Sequence, residues 1–354
     1  MPAAPLVLGI ETSCDDTACA VLDGEGQVLA SVVSSQLAAH RPYGGVVPEI
    51  ASRAHLENWP AVSAEALDRA GIDLARIDAV AATRGPGLVG SLLVGLSLGK
   101  ALAFGLGRPF FAIHHLEGHL FSPFLAPEGP AEAVPDRFVG LVVSGGHSNL
   151  FEVEAGRTRT LGEARDDAMG EVFDKVGRRL GLPYPQGPRV DELAEGGEPG
   201  AHRFPVPDCG GSLDVSFSGL KSQALGEIEK LERTLGPIDL GSLDASGDTP
   251  PGRVLDLLAG FRAAAVGQVL DRVERLHRRE PIPLLAVSGG AAANRLLRRE
   301  LTSWAADRGV GLRLVPLGFS GDNAAMIAHA ALLRLRAGEA DDPFTAEAES
   351  RIAI

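Results

Sequence analysis

The sequence predicts a duplicated α/β fold, and two observations support this prediction. Two β-type runs flank the turn Asp23-Gly24-Glu25-Gly26, so we expect a hairpin at the N-terminus. Residues 137–161 repeat the pattern as strand, Gly- and Ser-containing loop, strand, turn and strand. Because helical patterns follow each copy, the repeat favours two lobes that face each other across a cleft. We place these lobes at residues 1–134 with 323–354 and at residues 135–322.

Hydrophobic spacing predicts the elements that follow each copy. A helix over residues 52–71, a strand over 77–84, a Gly-rich turn and a long apolar helix follow the first copy. After the second copy, one helical face carries Met169, Val172, Phe173, Val176 and Leu180. The remaining chain predicts an exposed loop over 236–252, an amphipathic helix, a strand entering VSGG, a helix, the strand LRLVP, the helix DNAAMIAHAALLRL and a loose tail over 337–354.

Length and composition indicate a cytoplasmic protein of two domains. The 354 residues exceed one ordinary domain, and 45% hydrophobic with 22% charged residues is typical of a globular protein. The longest apolar run, from Leu88, contains Gly, Ser and Lys100, which suits a buried helix better than a membrane span. The first strand follows no basic segment and the three cysteines form no C-x-x-C pair, so we expect neither an export signal nor disulfides.

Residues 85–90 read GPGLVG and match the dinucleotide-binding pattern G-x-G-x-x-G between a strand and a helix. Pro86 stiffens this turn, and no acidic residue follows Asp78 until Glu117, although a ribose-binding carboxylate is expected about 20 positions on. A tight strand-to-helix turn is therefore favoured over a nicotinamide or flavin site. Lys100 does not complete a P-loop, because the required upstream glycine is missing.

The tetrapeptide Val-Ser-Gly-Gly occurs twice, at residues 143–146 and 287–290. After a buried strand, consecutive glycines expose backbone N–H groups with no Cβ to block an anion, and a following helix adds its positive end. We expect the two loops in corresponding places of the duplicated fold, each able to hold a phosphate. With the loop ETSCDDT at residues 11–17, they outline the nucleotide cleft of an actin-like, Hsp70-like or sugar-kinase-like (RNase H-like) fold.

Two histidines, His115 and His119, lie four positions apart, so both imidazoles can reach one ion from the same helical face. A zinc peptidase needs H-E-x-x-H, with the glutamate directly after the first histidine. Leu116 has that position and Glu117 faces elsewhere, so the peptidase hypothesis fails. A metal site and two structural histidines remain open, and Asp322, near the start of the last predicted helix, is a candidate third ligand.

A series of motifs spread over almost the whole chain occurs together: GIETSCDDT, YGGVVPEIASRAH, GPGLVGSLLVG, HHLEGHL, VVSGGHSNL, DDAMGEVFDKVGRRLGL, SFSGLK, SGGAAANRLLR and FSGDNAAMIA. With these motifs the chain closely resembles the tRNA threonylcarbamoyladenosine transferase family of bacterial type, once labelled glycoprotease. The resemblance implies an actin-like two-lobed fold with a central nucleotide cleft. It also implies transfer of the threonylcarbamoyl group from threonylcarbamoyl-adenylate to the exocyclic amine of the adenosine 3′ of the anticodon, with release of AMP.

Position by position, the resemblance implies that His115, His119 and Asp322 hold one Fe²⁺ or Zn²⁺ ion. It further implies a site for an adenine nucleotide, either threonylcarbamoyl-AMP or ATP. The residues implied at that site are Val142, Val143, Ser144, Gly145, Gly146, Asp174, Gly187, Asp191 and Asn294. One departure is Gln186 in YPQGP, where the family pattern has Y-P-G-G-P.

The implied chemistry needs no protein nucleophile, because the adenosine amine attacks while the metal offsets charge on the departing AMP. Asp15 in the ETSCDDT loop is the first candidate for the base that takes the amine proton, and Asp16 is the second. Lys221 in SFSGLK is a candidate phosphate contact. The alternatives are a sugar or acetate kinase of the same fold, which would leave HHLEGH without a role, and a non-catalytic nucleotide-binding scaffold.

The acidic balance predicts dependence on partners. A net charge of −13 argues against a surface that coats nucleic acid, since phosphate neutralisation needs concentrated Lys and Arg. The resemblance implies tRNA, a paralogous actin-like subunit and a small ATPase as partners, a separate synthase that makes the adenylate, and no membrane. A local basic face could come from Arg178, Arg179, Arg295, Arg298 and Arg299.

Overall fold

The computed structural model describes residues 4–354 of the protein. The chain divides into two compact units: Met1–Pro135 with Val315–Ile354, and Asp136–Leu314. Residues 315–322, which the sequence analysis groups with the second lobe, belong to the first unit. Each unit contains a five-stranded mixed sheet.

The sheet of the first unit consists of β1 (Val7–Glu11), β2 (Asp16–Leu22), β3 (Val28–Ser35), β4 (Ala79–Gly85) and β5 (Phe110–His114). β1 and β2 pair antiparallel, as do β2 and β3, whereas β4 pairs parallel with both β1 and β5. The order across the sheet is β3-β2-β1-β4-β5. The predicted N-terminal hairpin is therefore confirmed, and β1 extends it to three strands.

The sheet of the second unit consists of β6 (Arg137–Val143), β7 (Ser148–Glu154), β8 (Arg157–Gly162), β9 (Leu284–Ser288) and β10 (Gly311–Leu314). β6, β7 and β8 form an antiparallel meander, and β9 pairs parallel with both β6 and β10. Read from β8, the order β8-β7-β6-β9-β10 repeats that of the first sheet. The predicted duplication of an α/β unit is thus confirmed in strand order and direction.

The predicted helices are confirmed, with bounds that shift by a few residues. In chain order the helices of the described residues are α1 (Leu37–His40), α2 (Pro48–Ala70), α3 (Val89–Leu106), α4 (His115–Phe121), α5 (Met169–Arg179), α6 (Gly187–Leu193), α7 (Ser218–Leu235), α8 (Leu240–Ser246), α9 (Gly252–Arg279), α10 (Arg295–Arg308) and α11 (Ala324–Arg336). The sequence analysis did not predict α1, α6, α7 or α8. The prediction of an exposed loop over 236–252 was wrong for residues 240–246, because α8 forms there. Asp239 caps that helix by accepting the Ser242 N–H at 3.2 Å.

α11 covers the centre of the first sheet and fixes the chain that precedes it. Its residues from Ala324 to Leu332 are buried. Gly9 in β1 permits this approach, since a Cβ there would lie 2.4 Å from the Ala324 carbonyl oxygen and 2.9 Å from the Ala328 Cβ. A larger residue at position 9 would therefore displace the start of α11, which Asp322 precedes by two residues.

α3 is long and apolar enough to cross a membrane by length and composition alone, with a mean hydropathy of 1.7. Its packing is that of a core helix with one exposed side, because 33% of the helix is buried. A Cβ on Gly99 would lie 2.8 Å from the Ala82 Cβ, so α3 lies close against β4. The Gly-rich turn before α3 joins a strand to a helix, as the sequence analysis favoured.

The C-terminal tail is held by backbone pairing with the first unit. The Asp341 N–H donates to the Phe110 carbonyl at 2.8 Å, and the Glu349 N–H donates to the Arg84 carbonyl at 2.9 Å. The prediction of a loose tail was wrong. The tail is rich in small and acidic residues, and local sequence patterns do not reveal backbone hydrogen bonds to residues far away in the chain.

Candidate metal centre and glycine-rich loops

His115, His119 and Asp322 converge on one point of the first unit. Their ligand atoms all lie within 4.8 Å of one another. Asp322 Oδ1 is 3.5 Å from His115 Nε2 and 3.1 Å from His119 Nε2. Both imidazoles are buried, whereas 26% of the Asp322 side chain is exposed. The group is therefore reached from solvent on the side of the carboxylate.

Two helix starts bring these side chains together. β5 ends at His114, whose Nδ1 accepts the Leu116 N–H at 3.1 Å and caps α4. His115 and His119 then lie one turn apart on α4. Gly118 lets α4 approach α11, because a Cβ there would lie 2.9 Å from the Ile327 Cδ1.

Asp322 does not itself cap α11. The cap is Asn323, whose Oδ1 accepts the Met326 N–H at 3.0 Å. Asp322, the residue before this cap, faces the two histidines of α4. The chain thus separates the capping and histidine-facing roles between two neighbouring residues.

The donor set fits a transition-metal ion. Imidazole nitrogens and carboxylate oxygens are common ligands of Zn²⁺ and Fe²⁺. Metal–ligand bonds of about 2.0–2.1 Å that meet at tetrahedral angles separate neighbouring ligand atoms by roughly 3.4 Å. The two Nε2–Oδ1 distances of 3.5 and 3.1 Å match that separation. Three protein ligands leave a fourth position for water or substrate.

Glu11, which the sequence analysis did not select, contacts the opposite side of the His115 ring. Its Oε2 lies 3.1 Å from His115 Nδ1 and accepts the Thr83 hydroxyl at 2.6 Å, and its Oε1 accepts the Ser13 N–H at 2.5 Å. A carboxylate on the outer nitrogen fixes the tautomer and leaves Nε2 toward Asp322. The sequence signal for this role is an acidic residue at the end of a buried strand.

The charges in this group favour the ionised state of both partners. Burial alone would lower the pKa of His115, but the carboxylates of Asp322 and Glu11 outweigh it and raise that pKa to about 9. Burial would raise the pKa of Glu11, yet the charge and hydrogen bond of His115 lower it. The carboxylates of Asp322 and Glu11 therefore favour a positive charge at His115, whether it is a proton on the ring or a bound metal cation.

Asp15 and Asp16 lie where the loop after β1 enters β2. The Asp15 carbonyl accepts the Gln36 N–H at 3.0 Å. Asp16 Oδ1 is buried and has no hydrogen-bond partner within residues 4–354. Burial is the main cause that raises the pKa of Asp16 to about 7; the charge of Asp322 adds to it, and a hydrogen bond to Ser35 opposes it. Asp16 therefore titrates near neutral pH, as a general base must.

Both Val-Ser-Gly-Gly loops lie side by side in the second unit. They follow the parallel strands β6 and β9, in which the buried Val142 is opposite Ser288. A Cβ on Gly289 would lie 2.2 Å from the carbonyl oxygen of the buried Val143. By sheet order, the loop after β6 corresponds to ETSCDDT after β1, and the loop after β9 corresponds to GPGLVG. The prediction that the two loops correspond to each other was wrong, because the repeated unit is a whole sheet.

The first of these loops is open and lies against the start of α5. Gly145 and Gly146 are exposed, and a Cβ on either would meet no atom within 4 Å. The Ser144 hydroxyl accepts the His147 N–H at 3.1 Å, and the Ser144 carbonyl accepts the Gly170 N–H at 3.1 Å. The loop has the room and the helix terminus that an anion site requires.

Asp174 holds the YPQGP loop. Its Oδ1 accepts the Gln186 N–H at 2.9 Å and the Gly187 N–H at 2.8 Å. Gln186 has φ −82° and ψ −32°, an ordinary right-handed conformation that requires no glycine. The departure from the family pattern at position 186 is therefore compatible with the backbone of the loop.

Asp191 and Asn294 both contact the start of α10. Asp191 is 6% exposed, with Oδ1 3.1 Å from Arg262 Nη1 and Oδ2 accepting the Arg295 N–H at 3.1 Å. Asn294 Oδ1 accepts the Leu297 N–H at 2.9 Å and caps α10. These residues thus have structural partners within the second unit, and their ligand contacts stay predictions.

Several predicted cationic contacts pair with acidic side chains. Lys221 Nζ lies 2.5 Å from Asp167 Oδ2. Arg179 and Arg299, from the suggested basic face, form ion pairs with glutamates at 2.5 and 3.1 Å. These ion pairs neutralise part of the positive charge that would otherwise be available to bind RNA.

Comparison with known proteins identifies the family. The family model described as tRNA N6-adenosine threonylcarbamoyltransferase matches residues 27–329. Proteins of that name from Pelobacter propionicus and Cyanothece sp. are 48% identical over 325 residues (91% of this chain, 90% of theirs) and 46% identical over 355 residues (98% and 97%). HypF of T. kodakarensis has a TM-score of 0.61 at 15% identity, over 95% of this chain and 48% of HypF, a likeness of fold alone that agrees with the predicted actin-like class. The chain belongs to the tRNA N6-adenosine threonylcarbamoyltransferase family and is a tRNA-modifying transferase.

Proposed function

We propose that the chain transfers the threonylcarbamoyl group from threonylcarbamoyl-adenylate to the exocyclic amine of the adenosine 3′ of the anticodon (position 37), in tRNAs that read codons starting with A. The observation that supports this most is the convergence of His115, His119 and Asp322, because a partly open metal site suits activation of an acyl adenylate. Family membership replaces the kinase and scaffold alternatives considered from the sequence.

One Fe²⁺ or Zn²⁺ ion held by these three side chains would supply Lewis-acid polarisation of the phosphate or threonyl end of the adenylate. Glu11 holds the His115 ring in the orientation that this site needs, through the 3.1 Å contact at Nδ1. The buried imidazoles limit water on one side of the group, and Asp322 lies on the side open to solvent.

The transfer makes one bond and breaks one. The adenosine amine nitrogen bonds to the carbamoyl carbon, and the bond from that carbon to the phosphate oxygen of AMP breaks. We assign the amine proton to Asp16, whose pKa of about 7 suits a base at neutral pH, with Asp15 as the alternative. AMP leaves with the electron pair of the broken bond.

We assign the adenylate to the residues of the second unit that the family pattern implies. Gly145 and Gly146 follow Ser144 beside the start of α5, and their main-chain N–H groups suit a phosphate. The Ser144 N–H donates to the His147 carbonyl at 2.8 Å, so Ser144 shapes the loop that carries these donors. Asp174 positions the Gly187 N–H by accepting it at 2.8 Å, and the carboxylates of this unit can accept hydrogen bonds from ribose hydroxyls.

We place the reaction in the cytoplasm, with tRNA, a paralogous actin-like subunit and a small ATPase as partners. α3 offers a face for the paralogous subunit, because Val89, Leu93 and Phe104 are 53%, 51% and 70% exposed on one helical stripe. Leu56 of α2 is 59% exposed as well. The net charge of −13 agrees with a need for partners in tRNA binding.

The decisive experiment is reconstitution with labelled threonylcarbamoyl-adenylate, tRNA and the partner proteins. We expect His115→Ala to lose bound metal and labelled product, while Glu117→Gln, on the same helix, keeps both. Equal transfer by wild type and His115→Ala would refute the metal site as part of the reaction. Label that remains in the adenylate with active partners and intact wild-type protein would refute the transfer itself.

A further inference from the structure

A buried chain of hydrogen bonds leads from the start of α2 to the ETSCDDT loop. Its side chains, His40, Gln36 and His55, are 0%, 3% and 0% exposed. The Val47 N–H lies 3.3 Å from His40 Nδ1, and His40 Nε2 lies 3.3 Å from Gln36 Oε1. Gln36 Nε2 lies 3.1 Å from His55 Nδ1, and His55 Nε2 lies 3.1 Å from the Cys14 carbonyl oxygen. We call this set of contacts the His40–Gln36–His55 relay.

Main-chain groups at both ends fix the direction of every proton in the relay. The Val47 N–H can only donate, so His40 Nδ1 accepts and its Nε2 carries the proton that is donated to Gln36. The Cys14 carbonyl can only accept, so His55 Nε2 carries the proton and Nδ1 accepts from the Gln36 amide. Both histidines are therefore neutral Nε2–H tautomers. The two assignments require the same orientation of the Gln36 amide, with Oε1 toward His40 and Nε2 toward His55.

The orientation of the Gln36 amide has a separate check. Its Nε2 lies 3.4 Å from the Ala51 carbonyl oxygen, an obligatory acceptor, which opposes an exchange of the amide nitrogen and oxygen. Thr17 Oγ1 lies 2.8 Å from His55 Nδ1 and can donate to the same lone pair. Burial lowers the pKa of His55, which agrees with a neutral ring.

A buried polar network of this kind needs a reason other than stability. Each link exchanges hydrogen bonds to water for bonds within the protein at a small net gain, whereas an interrupted link leaves a buried group unsatisfied. Apolar side chains could fill the same space with comparable stability. The relay ends on the carbonyl of Cys14, the residue before Asp15 and Asp16. It therefore orders the main chain next to those two carboxylates.

We propose that His55 is a positioning residue for the transfer reaction: its Nε2–H holds the Cys14 carbonyl and thereby the Asp15–Asp16 pair, while Gln36 and His40 hold His55 in the required tautomer. This inference rests on the proposed function, in which Asp16 takes the amine proton. The contribution is geometric, and His55 itself exchanges no proton with the substrate.

Two variants of His55 separate positioning from general stability. A glutamine amide can place an N–H where His55 Nε2–H lies, whereas asparagine reaches only the Nδ1 position. We expect His55→Asn to lower kcat roughly 10- to 100-fold with an unchanged KM for tRNA, and His55→Gln to retain most of kcat. Equal kcat values for the two variants would overturn the proposal.

Two further measurements do not depend on the transfer reaction. In zinc-loaded protein, ¹⁵N NMR should show His40 and His55 as neutral Nε2–H tautomers at neutral pH, and an Nδ1–H tautomer at either would overturn the relay. In a Cys209→Ser background, the rate of Cys14 alkylation measures how well the ETSCDDT loop is held in place. Burial in the ordered loop raises the pKa of this thiol and keeps it slow to react. His55→Asn should raise that rate roughly fivefold to tenfold, and His55→Gln should not.

These readouts distinguish the two proposals. An unchanged Cys14 rate in His55→Asn would refute the positioning role even if the wild type is active. The expected tautomers and Cys14 rates in a wild-type protein without transfer activity would instead count against the proposed function.

Discussion

Glu11 Oε2 lies 3.1 Å from His115 Nδ1, although the two residues are separated by 104 positions. The carboxylate acts on the candidate metal ligand from the side opposite Asp322, so it controls both the orientation and the basicity of the ring. We expect Glu11→Gln to weaken metal binding about 10- to 100-fold, because a neutral amide polarises the imidazole less. Metal affinity measured by competition with a chelator tests this expectation.

The control for that variant is Glu117→Gln. Glu117 lies on α4 between the two histidines, and its charge interacts with Arg334. Its amide variant should bind metal like the wild type. Unaltered metal affinity in Glu11→Gln would show that Glu11 is only a structural partner of Ser13 and Thr83.

The sequence predicted the local elements of this site better than its assembly. The spacing of His115 and His119 is a helical pattern, and Asp322 was selected as a residue near a helix start, so both were visible to local rules. Glu11 was not visible, because nothing in GIETS shows that β1 ends against α4. The side-by-side placement of the two Val-Ser-Gly-Gly loops was missed for the same reason, since strand pairing is a long-range property.

Asp16 should determine the acidic side of the pH–rate profile. Its pKa is about 7, so the carboxylate that accepts the proton is present above pH 7 and lost as the pH falls below it. The wild-type kcat should therefore fall toward acid pH. Asp16→Asn should lower kcat at least ~100-fold and remove that limb, with metal content unchanged. If Asp15→Asn shows this behaviour and Asp16→Asn does not, the assignment passes to Asp15.

Asp191 should contribute to stability before any ligand binds. Its Oδ1 lies 3.1 Å from Arg262, a residue that is 3% exposed and that also pairs with Glu195. Asp191→Ala removes one buried partner of this cation, and we expect a loss of about 3 kcal/mol in the free energy of unfolding. Glu192→Gln, whose exposed pair with Arg189 contributes less than about 1 kcal/mol, is the matched control. Denaturant unfolding without nucleotide measures the stability of both variants. Equal unfolding midpoints for Asp191→Ala and the wild type would show that Asp191 does not stabilise the fold and acts only in ligand binding.

The exposed stripe of α3 should govern assembly without altering the metal site. Leu93 is 51% exposed, so Leu93→Glu places a charge on this face at little cost to the fold of the monomer. We expect loss of binding to the paralogous subunit in gel filtration, with the melting temperature and bound metal unchanged. Arg69→Glu, on the exposed end of α2, serves as a charge control. Normal complex formation by Leu93→Glu would place the partner on another face.

His329 should make the protein less stable in acid. It lies on α11, is 1% exposed, and burial lowers its pKa to about 4 from the ordinary 6.5. Between those values the unfolded chain binds a proton that the folded chain does not, so stability rises with pH across this window and is lost as the pH falls from 6.5 to 4. The shift corresponds to about 3 kcal/mol, and other buried histidines with lowered pKa, such as His114, add to it with the same sign. Urea unfolding at a series of pH values should show that the stability of His329→Leu depends less on pH than that of the wild type, while His202→Gln, nearer the surface, keeps the full slope. Identical slopes for His329→Leu and the wild type would show that His329 binds its proton with the same pKa in the folded and unfolded chains.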